Sequence, residues 1–281
     1  MAINSIKSIA KECVCFALAT PYEFIGTPKK HVVILGYHSI SHDNTHIDVT
    51  PENFISQINY LKKKNYDFIT LKEAYSYTLG RKKITKPSVA FTFDDGYEDL
   101  IINTAPLLEK LGIPATYFVI SHPNKVNRKL LENNKPLFSK KSIAKMVKFK
   151  GTDIQGHTTA HKKLFESPGE DIELDLKKSK KKLESVLSSK IHFFAYPWGI
   201  YTKQYVNALV KSGYKAAFTT KPGILTKRQN PYLLPRVMVD KTHSLSQFRF
   251  MLTPLYPPVY NLLIGRHSPQ SLASERKVRT A

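Results

Sequence analysis

The chain has 281 residues, enough for one large domain or two small ones, and 42% of them are hydrophobic, which suffices for an ordinary core. Lys and Arg total 43 against 22 Asp and Glu, a net charge of +21 that favours an anionic partner such as nucleic acid, lipid headgroups or an acidic glycan. No zinc-finger, helix-turn-helix or RNA-recognition pattern accompanies the charge, so no nucleic acid is expected as a partner. The two cysteines, Cys13 and Cys15, are too close to bridge and form no C-x-x-C motif, which excludes a disulfide framework.

Residues 1–30 read as an N-terminal helical extension. Lys7 and Lys11 precede C-V-C-F-A-L-A, and Ala17-Leu18-Ala19 has the small-x-small form of a signal-peptide cleavage site. Glu12 interrupts the segment and its apolar core is about seven residues, at the lower limit for a signal. An amphipathic helix on the domain or on a membrane surface is the preferred reading. No run approaches the roughly 18 apolar residues of a membrane span. The expected location is therefore the cytoplasm or the periphery of the inner membrane rather than outside the cell.

From 31 to 245, short apolar runs alternate with helical periodicity. Strands are predicted at 32–37, 89–93, 115–120, 153–155, 191–196, 215–219 and 234–239. The helix over 51–64 opens with Thr50 as N-cap and Pro51 in its first position, and sets Phe54, Ile58 and Leu61 on one face. Helices follow at 71–79, 98–111, 140–149 behind a Ser139 cap, 170–188 with Ile172, Leu176, Leu183 and Leu187 on its buried side, and 202–212 before Gly213. Continuously apolar strands imply a parallel sheet covered on both faces, and the alternation predicts a single α/β barrel domain. The stretch 121–138 is a long loop or insertion near the site mouth. Residues 246–281 form a helical, basic tail, unpatterned from 265 onward. Basic residues cluster at 61–64, 81–86, 140–150, 177–182 and 276–279, as solvated faces or as contacts for an anionic membrane or acidic polysaccharide.

Two clusters carry chemistry. F-T-F-D-D-G-Y at 91–97 ends an apolar run in two carboxylates. Neighbouring side chains on a strand point to opposite faces, so Asp94 and Asp95 share a site only where the strand gives way to a turn, which Gly96 permits. G-H-T-T-A-H at 156–161 sets His157 and His161 four residues apart, on one face of a helical turn, able to grip one metal ion. Two imidazoles, a carboxylate and open positions describe a hydrolytic metal site, with the second carboxylate free as a base. Alone, each cluster is more often an ordinary loop. Together each supplies what the other lacks.

T-F-D-D-G at 92–96, H-T-T-A-H at 157–161 and F-F-A-Y-P-W-G at 193–199 resemble, in this order, the motifs of the polysaccharide deacetylases, the NodB homology domain of carbohydrate esterase family 4. The resemblance covers roughly 32–240 and implies the distorted, incomplete TIM-like barrel of that family. It implies Asp95, His157 and His161 as ligands of a divalent metal, with zinc expected first, and Asp94 as general base. It also implies the Trp198 backbone N–H as oxyanion donor. The late leucine-x-histidine that supplies the general acid in many members is absent. The G-Y-H-S-I at 36–40 is similar to the early tyrosine-histidine of the permuted poly-N-acetylglucosamine deacetylases, which points to His38 as acid, with His243 and His267 as alternatives. Ala195 occupies the place of the common arginine, and Arg236 is the candidate to replace it beside Asp94. Tyr97, Tyr196, Pro197 and Trp198 stand where they either flank a sugar ring or fill core. The expected activity is metal-dependent removal of N-acetyl groups from amino sugars of a polysaccharide or lipid-linked glycan. The alternatives are a deformylase or related amidase on a lipid-linked aminosugar, and a catalytically idle glycan-binding module.

Overall fold

A computed structural model describes residues 30–131 and 133–263. The helical extension expected over 1–30, but for its last residue, and the basic tail beyond 263 lie outside the described residues. The strands are β1 (Val32–Tyr37), β2 (Ser39–Ile40), β3 (Asp48–Val49), β4 (Asp67–Phe68), β5 (Ser88–Phe93), β6 (Ala115–Val119), β7 (Thr152–Gly156), β8 (Phe193–Ala195), β9 (Ala216–Phe218) and β10 (Val237–Met238). One sheet runs β10-β1-β5-β6-β7-β8-β9, parallel throughout, with β4 beside the start of β5. β2 and β3 pair separately.

The sheet curls, and its two faces bury different sets of side chains. Val33, Leu35, Tyr37, Phe91, Phe93 and Tyr117 join the main core with the helical layer. Val32, Ile34, Ala90, Phe118, Phe193, Ala195 and Phe218 fill a smaller cluster within the curl. Every residue of β1 and β5 is buried, which is why those strands read as largely apolar, uncharged runs.

The barrel is incomplete at its seam. Leu234 bridges to Phe218 of β9, and after Pro235 the chain crosses to pair Val237 and Met238 with Leu35 and Gly36 of β1. The strand expected over 234–239 is thus only two residues long, because Pro235 has no N–H to give a ladder. At Gly36 a Cβ would lie 2.4 Å from Met238 Sδ, so any larger residue would make the Met238 side chain move aside at the seam.

The helices are α1 (Pro51–Lys63), α2 (Leu71–Thr78), α3 (Leu100–Asn103), α4 (Ala105–Leu111), α5 (Arg128–Leu131), α6 (Lys140–Met146), α7 (Gly169–Leu187), α8 (Lys203–Lys211), α9 (Leu245–Met251) and α10 (Tyr256–Leu263). Thr50 and Ser139 cap α1 and α6 as expected, accepting from Asn53 N and Ser142 N. The helix expected over 98–111 is broken at Thr104. Pro106 lacks an N–H, and its ring excludes a helical carbonyl four residues back. The domain boundary expected after 245 falls within α9, whose Phe248 and Met251 belong to the main core. Among the described residues no helix is long and apolar enough to cross a membrane.

Candidate active site

Ala90 and Thr92 of β5 face the inside of the curl, and the two-residue period carries Asp94 inward as well. Asp95 (φ 67°) and Gly96 (φ 79°) then leave the strand in left-handed conformations, which turns Asp95 toward the same space. Asp94 is 2% exposed and Arg236 is fully buried. The guanidinium forks onto the carboxylate, Nη1 to Oδ1 at 2.7 Å and Nη2 to Oδ2 at 2.6 Å. Its Nε donates to Thr219 O (3.1 Å) and Nη1 also to Thr92 Oγ1 (3.1 Å). Burial works to raise the Asp94 pKa. The Arg236 charge and its hydrogen bonds, helped by His157 and His38, outweigh it and hold the carboxyl below its ordinary range. A guanidinium from the seam thus stands beside Asp94 while Ala195 lies in the inner cluster.

His157 follows β7, and its Nδ1 donates to Ala195 O at 2.8 Å, which turns Nε2 toward Asp95. The spacing of His157 and His161 is as read from the sequence, but the turn between them is not helical. Thr158 (φ 66°) and His161 (φ 49°) are left-handed, and local hydrogen bonds override the helical path. His161 N donates to Thr158 Oγ1 (2.9 Å), Ser179 Oγ of α7 donates to Thr158 O (2.9 Å), and Asp175 of α7 holds Thr159 N (3.0 Å). The two Nε2 atoms lie 3.2 and 3.5 Å from Asp95 Oδ1.

These three residues fit a metal ion. Asp95 Oδ1 is buried with no hydrogen-bond partner, and one ligand atom from each residue lies within 4.8 Å of the others. Such an uncompensated buried acceptor is costly unless a cation satisfies it. His161 is pushed down to about 4 by burial and by the His157 charge, against the pull of Asp95, so its imidazole is neutral as a ligand must be. Burial also opposes charge on Asp95, but His161 and His157 hold its carboxyl far below the ordinary range. On His157 burial is outweighed by Asp95 and Asp94, which favour a proton, and a bound cation would take that proton's place.

Asp94, Asp95, His157 and His161 line one cavity of about 260 Å³, together with His38, Tyr97 and Trp198. The Trp198 ring centroid is 4.2 Å from that of His161. Trp198 (φ 55°) and Gly199 (φ 70°) make a tight turn after β8, and a Cβ on Gly199 would lie 2.1 Å from Thr220 Oγ1. Tyr97 O–H accepts from Asn133 Nδ2 (3.0 Å), and burial followed by Asp95 pushes its phenol well up. Tyr196 and Pro197 do not reach the cavity. The Tyr196 ring packs in an aromatic cluster with Phe194, Tyr201 and Tyr205, and its hydroxyl donates to Tyr232 O, so it is core. His243 does not line the cavity either and pairs with Asp240 at 3.0 Å, while His267 lies outside the described residues. His46, Ile47, Leu131, Thr220, Met238, Val239 and Asp240 complete the lining and were not singled out from the sequence. Thr220 and Asp240 each stand two residues beyond a strand, a position that signals them. His46 and Ile47 come from the loop before β3 and Leu131 from the end of the short α5, places that carry no such signal.

The family model described as polysaccharide deacetylase matches residues 81–217. YxkH of Bacillus subtilis (strain 168) is 32% identical over 215 residues, covering 76% of this chain and 74% of that protein. The poly-beta-1,6-N-acetyl-D-glucosamine N-deacetylase of Staphylococcus aureus (strain MSSA476) is 31% identical over 213 residues, 73% of this chain and 72% of that one. The chain belongs to the polysaccharide deacetylase family. Among solved structures, the Streptococcus pyogenes deacetylase PplD in complex with acetate superposes with TM-score 0.69 at 25% identity, covering 80% of this chain and 99% of that one. IcaB from Ammonifex degensii shares the fold with TM-score 0.70 at 24% identity, covering 79% and 96%. The incomplete barrel is therefore the fold of the deacetylase family, and the chain is placed among carbohydrate deacetylases.

Proposed function

We propose that this protein is a divalent-metal-dependent N-deacetylase acting on N-acetylated amino sugars of a glycan. The observation that carries the reading is the buried Asp95–His157–His161 cluster beside a carboxylate, Asp94, that Arg236 keeps ionised. The name of the Staphylococcus aureus relative supports an N-acetylglucosamine polymer as the substrate class.

Asp95, His157 and His161 would hold the metal, with zinc fitting two imidazoles and a carboxylate. When bound, such an ion supplies Lewis acidity toward water and toward the amide carbonyl. Asp94 accepts a proton from the attacking water as its oxygen adds to the acetyl carbon. Arg236 aims this carboxylate and keeps it charged. The Trp198 N–H, in the first turn of a 3-10 segment where amides lack partners within the turn, donates to the carbonyl oxygen as negative charge develops there. His38, at the end of β1 and lining the same cavity, gives a proton to the nitrogen as the C–N bond breaks, releasing acetate and a free amine. Tyr97 and Trp198 flank the sugar.

Acetate release from N-acetylglucosamine oligomers, with chelator and after zinc is restored, tests this. Chelator-sensitive release supports the reading. Formate from N-formylated sugars without acetate would favour the amidase alternative. Glycan binding without release would favour the idle module.

A further inference from the structure

Lys135 lies in the 121–138 stretch and is 7% exposed, although it carries no part of the chemistry above. Its Nζ donates to Ser41 Oγ (2.7 Å), Asp43 Oδ2 (2.5 Å) and Asp48 Oδ1 (3.0 Å), and lies 3.4 Å from Asp99 Oδ2. Asp48 also accepts from Ser39 Oγ (2.5 Å), Ser41 Oγ (3.1 Å), Thr45 N (2.6 Å) and Thr45 Oγ1 (2.8 Å). Asp99, just before α3, accepts from Ser39 Oγ (2.8 Å) and Ile40 N (3.2 Å). One ammonium thus joins the 41–48 loop, the start of α3 and the segment after α5. Breaking such a buried arrangement by removing one partner leaves the others uncompensated.

The 41–48 loop, which runs into β3, and the stretch that opens with α5 both reach the cavity, and Lys135 links them directly. The loop supplies His46 and Ile47, and the other segment supplies Leu131. Asn133 accepts from Lys135 N (3.1 Å) and donates to the Tyr97 hydroxyl (3.0 Å), so the clamp also extends to a residue beside Asp95. The cavity, at about 260 Å³, is below the roughly 300–1,000 Å³ of sites for drug-sized ligands. It takes one sugar-sized group, so in a polymer the adjoining sugar must rest on the rim. His46 is exposed at that rim, and Ile47 and Leu131, 8% and 6% exposed, back it with the apolar lining common in ligand sites.

We propose that Lys135 is a positioning residue for a polymeric substrate: it clamps the 41–48 loop to the 128–138 segment so that His46, Ile47 and Leu131 form one wall, and that wall receives the sugar adjoining the acetylated one. The proposal rests on the reading of function above and adds to it a recognition of chain length. Lys135 acts through the wall. Its loss therefore shows in KM for oligomers, whereas general destabilisation would affect substrates of every length alike.

The test is acetate release by the full-length zinc-loaded protein from N-acetylglucosamine and from its oligomers of increasing length. The wild type is expected to show KM falling with length. In Lys135→Met, KM for long oligomers rises about tenfold, the equivalent of one or two lost hydrogen bonds to substrate, and the dependence on length flattens. Ile47→Ala shows the same flattening. Asp43→Asn, which removes an exposed arm of the clamp, shows a smaller shift in the same direction and decides the matter with Ile47→Ala if Lys135→Met does not fold. Unchanged length dependence in these variants, or a fall in kcat equal for one sugar and for many, overturns the proposal alone. A wild type that releases acetate from no oligomer overturns the reading of function, and this proposal falls with it.

Discussion

Replacing Arg236 by methionine keeps a long apolar stem but deletes the guanidinium. The change removes two charge-assisted bonds of 2.7 and 2.6 Å and strips partners from Thr92 Oγ1 and Thr219 O. It leaves Asp94, 2% exposed, as an unpaired buried carboxylate. Removing one partner of a buried ion pair costs about 3–5 kcal/mol. At roughly 2–4 °C per kcal/mol for a domain of this size, Tm falls by about 6–20 °C. The pH dependence has a definite sign. Asp94 has its pKa lowered in the folded state, so its pairing contributes stability that is present above the unfolded value, about 3.9, and is lost as pH falls through the folded one. The gap between wild type and Arg236→Met is therefore widest near neutral pH and narrows as pH falls, first as the variant's unpaired Asp94, raised by burial, takes a proton, and on until the wild type's does. Thermal unfolding of wild type, Arg236→Met, Asp94→Asn and the double variant completes a cycle. If the unpaired charge is the main cost, Arg236→Met costs less in the Asp94→Asn background. Additivity within about 0.5 kcal/mol, or a single-variant cost below about 1 kcal/mol against the range for a buried pair, would refute the reasoning.

Asp94→Asn and His38→Ala should each retain metal and fold while turnover falls about 10²–10⁴-fold, the usual contribution of a proton-transfer group. Metal analysis beside rate measurement checks this, and loss of metal in Asp94→Asn would reverse the roles of the two aspartates. His157→Ala with His161→Ala should abolish zinc retention, read by elemental analysis of protein purified without chelator. Asp48 is held at about 2: burial opposes ionisation, but bonds from Ser39, Lys135 and Thr45 prevail. Its contribution, roughly 2 kcal/mol, is present above about pH 4 and lost as pH falls toward 2, so the stability gap between wild type and Asp48→Asn should close over that window in acid titrations followed by fluorescence. Binding to anionic vesicles, expected from the +21 charge, should weaken as salt rises, and equal sedimentation with neutral vesicles would reduce the charge to composition.

The central strands were legible because both of their faces are buried, which leaves a largely apolar, uncharged signature in β1 and β5. The paired aspartates were legible because strand parity and a following glycine are local facts. The seam was not. The strand-like stretch L-P-R-V-M-V at 234–239 hides a switch of neighbours at Pro235, which only the positions of β9 and β1 reveal. The histidine spacing was right and its conformation was not, since the left-handed Thr158 is held by Ser179 and His161, contacts that spacing does not encode. Tyr196 stayed open between sugar contact and core, because an aromatic beside a turn has the same sequence signature whether it faces solvent or core. Lys135 carried no sequence signal, because its hydrogen-bond partners Ser41, Asp43 and Asp48 lie 87 to 94 positions away.

Arg236 comes from the last segment to join the sheet, 142 positions after the carboxylate it aims. Contacts so distant in sequence form late, since the loop between them must close first. On the ribosome, Asp94, Asp95, His157 and His161 all emerge well before the residue that orders Asp94. A chain ending before Leu234 would carry all four of these residues while Asp94 still lacked its guanidinium partner. The closing of the seam is then the event that brings the last of the buried charges to the cavity.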